Sequence, residues 1–273
     1  MSKTLQILLL FCFSTIRLSA ADNYPAGARS IALSNAFVSV SDPWSTFHNQ
    51  ATLANLTNLS AGVFYESKYL LDELSLASGT IVFPTSNNTF SFSFYQFGKG
   101  TFKESKVGLA YSKRLSEKFN AAVQFDYFYY RFPENEKGHG FPTFEAGITY
   151  QAATQLTLGL HVFNPVKNGL KTHFGKEKMP IVFRLGGHYQ FSDMTLIVLE
   201  IQKESDLKPL AKCGIEFLPH KKLALRFGVS GRPAQVSAGI GYSFSRITTN
   251  IAFSYHGNLG FSPSVSLNYQ LKQ

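Results

Sequence analysis

Fourteen short runs of alternating apolar and polar residues follow one another from about Ser60 to the C-terminus. Each is about long enough to cross a bilayer as a tilted strand. Inside lipid every backbone N–H and C=O needs a protein partner, so strands that cross must close on themselves. The pattern therefore predicts an all-β fold: an antiparallel transmembrane β-barrel of about fourteen strands, spanning residues 59–273.

The run over 118–131 is the clearest. Phe119, Ala121, Val123, Phe125, Tyr127 and Tyr129 share one face, and Asn120, Ala122, Gln124 and Asp126 share the other. A period of two belongs to a strand with one apolar and one polar side. Near the end of the chain, Ile247, Thr249, Ile251, Phe253 and Tyr255 oppose Thr248, Asn250, Ala252, Ser254 and His256. In the last run Val265, Leu267, Tyr269 and Leu271 oppose Ser264, Ser266, Asn268 and Gln270. The segments are expected to begin near Ser60, Ser75, Thr89, Lys103, Lys118, Thr143, Gln155, Ile181, Thr195, Leu210, Lys222, Ala234, Ile247 and Ser262.

The connections test the topology independently. Barrels of this kind place both termini in the periplasm, with short turns there and longer loops outside. Even-numbered connections should then be short, and 84–88, 114–117, 191–194 and 244–246 are. Odd-numbered connections include 132–142, 164–180, 203–209 and 256–261, and the two longest are among them. A soluble sandwich predicts no such parity.

Residues 1–21 read as a secretory signal peptide. Lys3 precedes an apolar run from Leu5 to Phe13, and Ser19-Ala20-Ala21 supplies small residues for cleavage. Cys12 lies inside that run, so export leaves Cys213 alone and no intramolecular disulfide is possible. The leader carries Lys3 and Arg17 and no acid. Removing it leaves 26 − 2 = 24 basic residues against 17 acidic, a net charge of +7. The basic residues form no dense block. Outer-membrane lipid and lipopolysaccharide are the expected anionic partners, and no nucleic acid is expected.

The inward parity is rich in small and charged residues. Gly108, Gly147, Gly159, Gly186, Gly214, Gly228, Gly239 and Gly241 carry it, as do Glu145, Arg184, Glu200, Lys212, Glu216 and Arg226. The glycines permit either the bending that closes a barrel or the close approach of an internal segment. Leu196 and Val198 would add apolar lining in one register of an ambiguous ninth segment.

Residues 22–58 do not alternate. They are too apolar for a free tail and too irregular for a lipid-facing strand, which makes them an expected plug inside the lumen. They read Gly27-Ala28-Arg29, then Ala36-Phe37-Val38, then Asp42-Pro43-Trp44, then His48-Asn49-Gln50-Ala51-Thr52-Leu53. Together with Asn164-Pro165 and the stretch 179–186, these resemble the FadL-like barrel superfamily, closest to its PorV/PorQ-type branch. The chain departs from that pattern at Gln50, where proline is usual, and at Ser34-Asn35, where glycines are. It also lacks a terminal aromatic after Tyr269. The resemblance implies a fourteen-stranded barrel with the N-terminal segment in the lumen. It implies a binding or scaffold role linked to type IX protein secretion or surface attachment, with secretion-system or secreted proteins as partners. The alternative it carries is passive transport of a small hydrophobic ligand.

The expected plug and lumen residues are Arg29, Asp42, Trp44, Asn49, Glu145, Arg184, Glu200, Glu216 and Arg226. Arg29 should meet an inward carboxylate, because an unpaired buried charge is costly. The expected outer-loop contacts are Lys167, Lys171, Phe174, Lys176 and Lys178, with Phe132 and Phe141 in the other long loop. No enzyme is expected. His161 and His188 have inward parity, but no acid–histidine–serine spacing accompanies them, and they are too few to hold a metal. No cofactor is expected. The N-x-S/T matches at Asn55, Asn58 and Asn87 are chance in such a barrel.

Overall fold

A computed structural model describes residues 23–271 apart from 101, 132–137, 173–174, 206 and 232, with side chains left undescribed over 170–178. The expected signal peptide, Phe132 and the final two residues lie outside the described residues. Fourteen antiparallel strands form one closed barrel. They are β1 (Leu59–Ser67), β2 (Ser75–Pro84), β3 (Asn88–Phe97), β4 (Lys103–Arg114), β5 (Phe119–Arg131), β6 (His139–Gln151) and β7 (Leu156–Phe163). Then come β8 (Val182–Ser192), β9 (Thr195–Glu204), β10 (Leu210–His220), β11 (Leu223–Ser230), β12 (Gln235–Phe244), β13 (Ile247–His256) and β14 (Gly260–Leu271). Each strand pairs with its sequence neighbours, and β14 closes onto β1 through Leu59 opposite Leu271.

The alternation maps directly onto inside and outside. Val123, Phe125, Tyr127 and Tyr129 of β5 point outward, while Asn120, Ala122, Gln124 and Asp126 are buried within. Outward apolar residues meet across the ladder, as in Ile81–Phe92, Phe92–Leu109, Leu109–Phe125 and Ile240–Ile251. These cross-strand pairs form a continuous apolar exterior suited to lipid. Among the described residues no helix is long and apolar enough to cross a membrane. The ninth segment settles with Leu196 and Val198 inward, at 7% and 1% exposure.

Two expected loops contain more structure than the sequence suggests. His139, Gly140, Phe141 and Pro142 belong to β6 rather than to a loop. Phe141 is therefore an inward strand residue stacked on Phe128, with centroids 5.4 Å apart. The long connection before β8 carries a small hairpin, Gly169–Thr172 paired with Gly175–Lys178.

Residues 23–58 run inside the barrel. A short helix α1 (Ala28–Ala32) lies against β11–β14, and two 3₁₀ turns, Pro43–Phe47 and Gln50–Asn55, lie against β1–β6. Trp44, Phe37 and Phe47 are fully or almost fully buried. Each such side chain contributes on the order of 1.5–3 kcal/mol by leaving water. Local caps hold the turns. Asp42 accepts from the Trp44 amide at 3.0 Å, and Asn49 accepts from the Ala51 amide at 3.1 Å.

The inward glycines are where this segment touches the wall. A Cβ on Gly159 would lie 2.3 Å from the Val38 carbonyl oxygen. One on Gly228 would lie 2.5 Å from the Leu33 and Ser34 backbone, and one on Gly147 2.0 Å from Asn49 Oδ1. These glycines make room for residues 32–49, which a bending role alone does not require. Replacing Gly228 with Val should displace residues 32–35 while leaving the strands paired. Amide hydrogen exchange should then rise at Leu33–Ala36, with the heat-dependent gel shift of a folded barrel retained.

Candidate functional site

The internal segment is held by three clusters of buried charge. The first surrounds Glu216 on β10. Arg29 reaches it through Nε at 2.9 Å and an Nη at 2.7 Å, and Arg226 donates to the same carboxylate at 2.5 Å. Asp42 takes the remaining Arg29 contact at 3.2 Å. Arg29 thus bridges an inward carboxylate and the cap of the following turn.

The second cluster centres on Glu200 of β9. Arg184 donates to its two oxygens at 2.7 and 3.1 Å, and Lys212 at 3.0 Å. The same carboxylate accepts from the Phe37 and Val38 amides at 2.8 and 2.9 Å. Arg184 and Lys212 in turn donate to the Asn35 carbonyl at 2.9 and 3.2 Å. Ser34 and Asn35 both have left-handed backbones, with φ of 51° and 56°. Asn accepts such a conformation more readily than Ser.

The third cluster surrounds Glu145 on β6. Lys106 donates to it at 2.9 Å, Gln50 at 2.8 Å and His161 Nε2 at 2.9 Å. Gln50 therefore supplies an amide that ties the plug to this carboxylate. Asn49 donates to the Val38 carbonyl at 2.7 Å and to the Ile148 carbonyl at 3.2 Å. Trp44 Nε1 donates to Asn268 at 2.7 Å. Glu145, Arg184, Glu200, Glu216 and Arg226 are all less than one-tenth exposed.

Lys106, Asp126 and the aromatic wall were not picked out by the sequence reading. Lys106 is 1% exposed, with its ammonium 5.7–5.8 Å from the ring centroids of Phe47, Tyr95, Phe128 and Phe163. Cations are attracted to aromatic faces at this range. The rings belong to an apolar cluster that also takes in Phe97, Tyr130, Phe141 and Met179 and fills one side of the lumen toward the longer loops. The signal was present: Glu104, Lys106 and Gly108 share one parity on β4. Leu196 and Val198 pack with Leu33, Ala36, Phe37 and Val40 of the plug.

Two cavities lie on opposite sides of this segment. The one toward the longer loops is about 250 Å³, floored by Ser34 and Asn35 and walled by Phe47, Phe163, Val182, His161, Arg184 and Lys212. The one toward the short turns is about 260 Å³, bounded by Arg29, Asp42, Glu216, Lys221, Lys222 and Asn250. Their linings share no residue. Lys167 is exposed in the long connection. Phe174 and the side chains of Lys171, Lys176 and Lys178 lie outside the described residues. Among the described residues no group of His, Cys, Asp and Glu could hold a metal ion. His188 bonds Ser39 at 3.1 Å rather than joining His161.

No protein-family profile and no curated protein matches the sequence. Solved structures do match in fold. A monoaromatic hydrocarbon channel, CymD, superposes with a TM-score of 0.69 at 12% identity, over 91% of this chain and 98% of that one. The Ralstonia pickettii toluene transporter TbuX gives 0.68 at 11%, over 90% and 98%. A Pseudomonas aeruginosa FadL homologue gives 0.67 at 12%, over 91% and 99%. The fold is thus that of the FadL-type outer-membrane channels. These relatives in fold are channels and transporters rather than enzymes, and none of the three bears on the PorV/PorQ-type likeness.

The Glu200 cluster predicts a specific failure. Glu200→Ala removes the acceptor of two plug amides and leaves Arg184 and Lys212 without their shared anion. Loss of one partner from a buried ion pair costs about 3–5 kcal/mol. Exchange protection at Phe37 and Val38 should collapse, while amides of β1–β5 stay protected.

Proposed function

We propose that this chain is an outer-membrane channel for small hydrophobic compounds, closed in the observed state by residues 23–58. The observation that carries the reading is the cavity facing the longer loops. Aromatic and aliphatic side chains wall it on one side, and plug residues Ser34 and Asn35 floor it. A hydrophobic molecule entering from the loops would meet a wall that is apolar at Phe47, Phe163, Pro180, Val182 and Leu210 and polar elsewhere, and then the plug. Passage between these two cavities requires the plug to move, because their linings share no residue. Under this reading the longer loops face outward, both termini are periplasmic, and residues 1–21 are a removed signal peptide. Arg29, Asp42, Trp44, Asn49 and the three wall clusters act as the plug's fastening. Lys167 and its neighbouring lysines meet lipopolysaccharide phosphates.

The likeness in fold to hydrocarbon channels favours this reading over the secretion scaffold. The packed middle of the lumen does not favour the scaffold, because a gated channel in its closed state is packed there as well.

Uptake across a lipopolysaccharide-bearing outer membrane separates the two. Cells carrying this protein should take up labelled toluene several-fold faster than cells carrying an empty vector, and Gly228→Val should raise the rate further. Equal rates in all three, with recovery of secretion-system proteins from native membranes, would contradict the channel and support the scaffold.

A further inference from the structure

The cavity toward the short turns, about 260 Å³, carries more positive charge than the plug's fastening uses. Arg29, Arg226, Lys221 and Lys222 line it, against two carboxylates, Asp42 and Glu216. That leaves a surplus of two positive charges. Both carboxylates are already engaged. Asp42 accepts from the Trp44 amide at 3.0 Å and from Arg29 at 3.2 Å. Glu216 accepts from Arg29 at 2.7 and 2.9 Å and from Arg226 at 2.5 Å. The surplus is Lys221 and Lys222, which are exposed at the mouth and have no ion-pair partner among the described residues. Lys222 continues the inward parity of Ala224 and Arg226 on β11, which sets it over the cavity.

The deeper polar groups are donors with their acceptor ends occupied. Arg226 is pinned through Nε to Glu216 and through Nη1 to Asn250 Oδ1 at 2.9 Å. Its Nη2 bonds no protein group among the described residues, yet it is not one of the water-excluded orphan atoms of the lumen. Asn268 repeats this pattern. Its Oδ1 accepts from Trp44 Nε1 at 2.7 Å, which leaves its amide N–H₂ for the cavity. Ser243 and Thr248 share one hydrogen bond at 3.1 Å and keep one hydroxyl proton to donate. Gln270 can present either end of its amide. The remaining wall includes Leu218, Leu223 and Ala224, whose apolar surface strengthens the field of the charges around it. A cation finds no unoccupied carboxylate here, and a neutral molecule gains nothing from the surplus charge. A water's share of liquid volume is about 30 Å³, so the space takes a tetrahedral oxyanion with part of its hydration.

We infer that this cavity binds a small, doubly charged oxyanion such as phosphate, with Arg226 and Asn268 at its inner end and Lys221 and Lys222 over its mouth. Charge-assisted bonds of this kind are the strong ones. The site adjoins Arg29, which fastens the plug, and its existence does not depend on what the barrel passes.

Calorimetric titration of the full barrel in detergent with sodium phosphate, sulfate and acetate, at ionic strength held constant with sodium chloride, tests it. Phosphate and sulfate should bind saturably, and acetate about tenfold or more weaker. The indole N–H resonance of Trp44, bonded to Asn268, should shift along the same binding curve. Lys221→Gln with Lys222→Gln, in an exposed turn, should keep the heat-dependent gel shift of the folded barrel and weaken phosphate about tenfold. Heats that never saturate, acetate equal to phosphate, or a double variant that binds as the wild type does would each overturn the inference. Nanodiscs separate a free anion from a lipid headgroup. Phosphate affinity should be the same in phosphatidylcholine and phosphatidylglycerol discs, and its loss in the latter would assign the site to a headgroup and overturn the free-anion assignment.

Discussion

Residues 33–42 form no helix or sheet, and turns within the segment satisfy only part of their backbone, the amides of Leu33, Ser34, Asn35, Ala36 and Val40 among them. The remaining groups need partners elsewhere, because a buried backbone group left unpaired costs about as much as a lost hydrogen bond. The Glu200 carboxylate meets that demand for Phe37 and Val38, and Arg184 with Lys212 meets it at Asn35. Much else follows from this attachment. Glycines on β7, β8 and β11 let the segment approach, and cavities lie on both sides of it.

The buried charges serve position more than stability. A buried ion pair seldom outperforms a well-packed apolar one, but removing one member strands the other. Glu200, Glu216 and Glu145 each gather two or more donors, and each gathers at least one from the plug. Detaching the plug therefore means breaking specific directional bonds rather than peeling an apolar surface. Such an element can have two discrete positions, as a gate requires.

Much of the barrel was legible because lipid imposes a strict rule. Side chains alternate, so Val123 to Tyr129 and Ile251 to Tyr255 declare their faces, and the strand starts follow. Legibility fails where that rule relaxes. The run Tyr127-Phe128-Tyr129-Tyr130 is aromatic on both faces, so its period vanishes and the inward Phe128 and Tyr130 were hidden. The same loss concealed the start of β6 at His139 and the inward place of Phe141. The hairpin in the long connection has strands of four residues without an apolar face, which leaves no pattern to read. Lys106 had the right parity, yet its partners come from β5, β6, β7 and the plug, and no local pattern announces that meeting. The plug's irregularity marked it as different, but its contacts depend on tertiary geometry.

The chain holds one tryptophan, Trp44, which sits in the plug against Gly62 with no exposed surface. Its fluorescence therefore reports directly on whether the plug occupies the lumen of the membrane-inserted protein. Iodide added to proteoliposomes should quench Trp44 weakly, and unfolding should bring quenching up to the level of free tryptophan. Efficient quenching in the folded, inserted barrel would place Trp44 in water and contradict a lumen closed by residues 23–58.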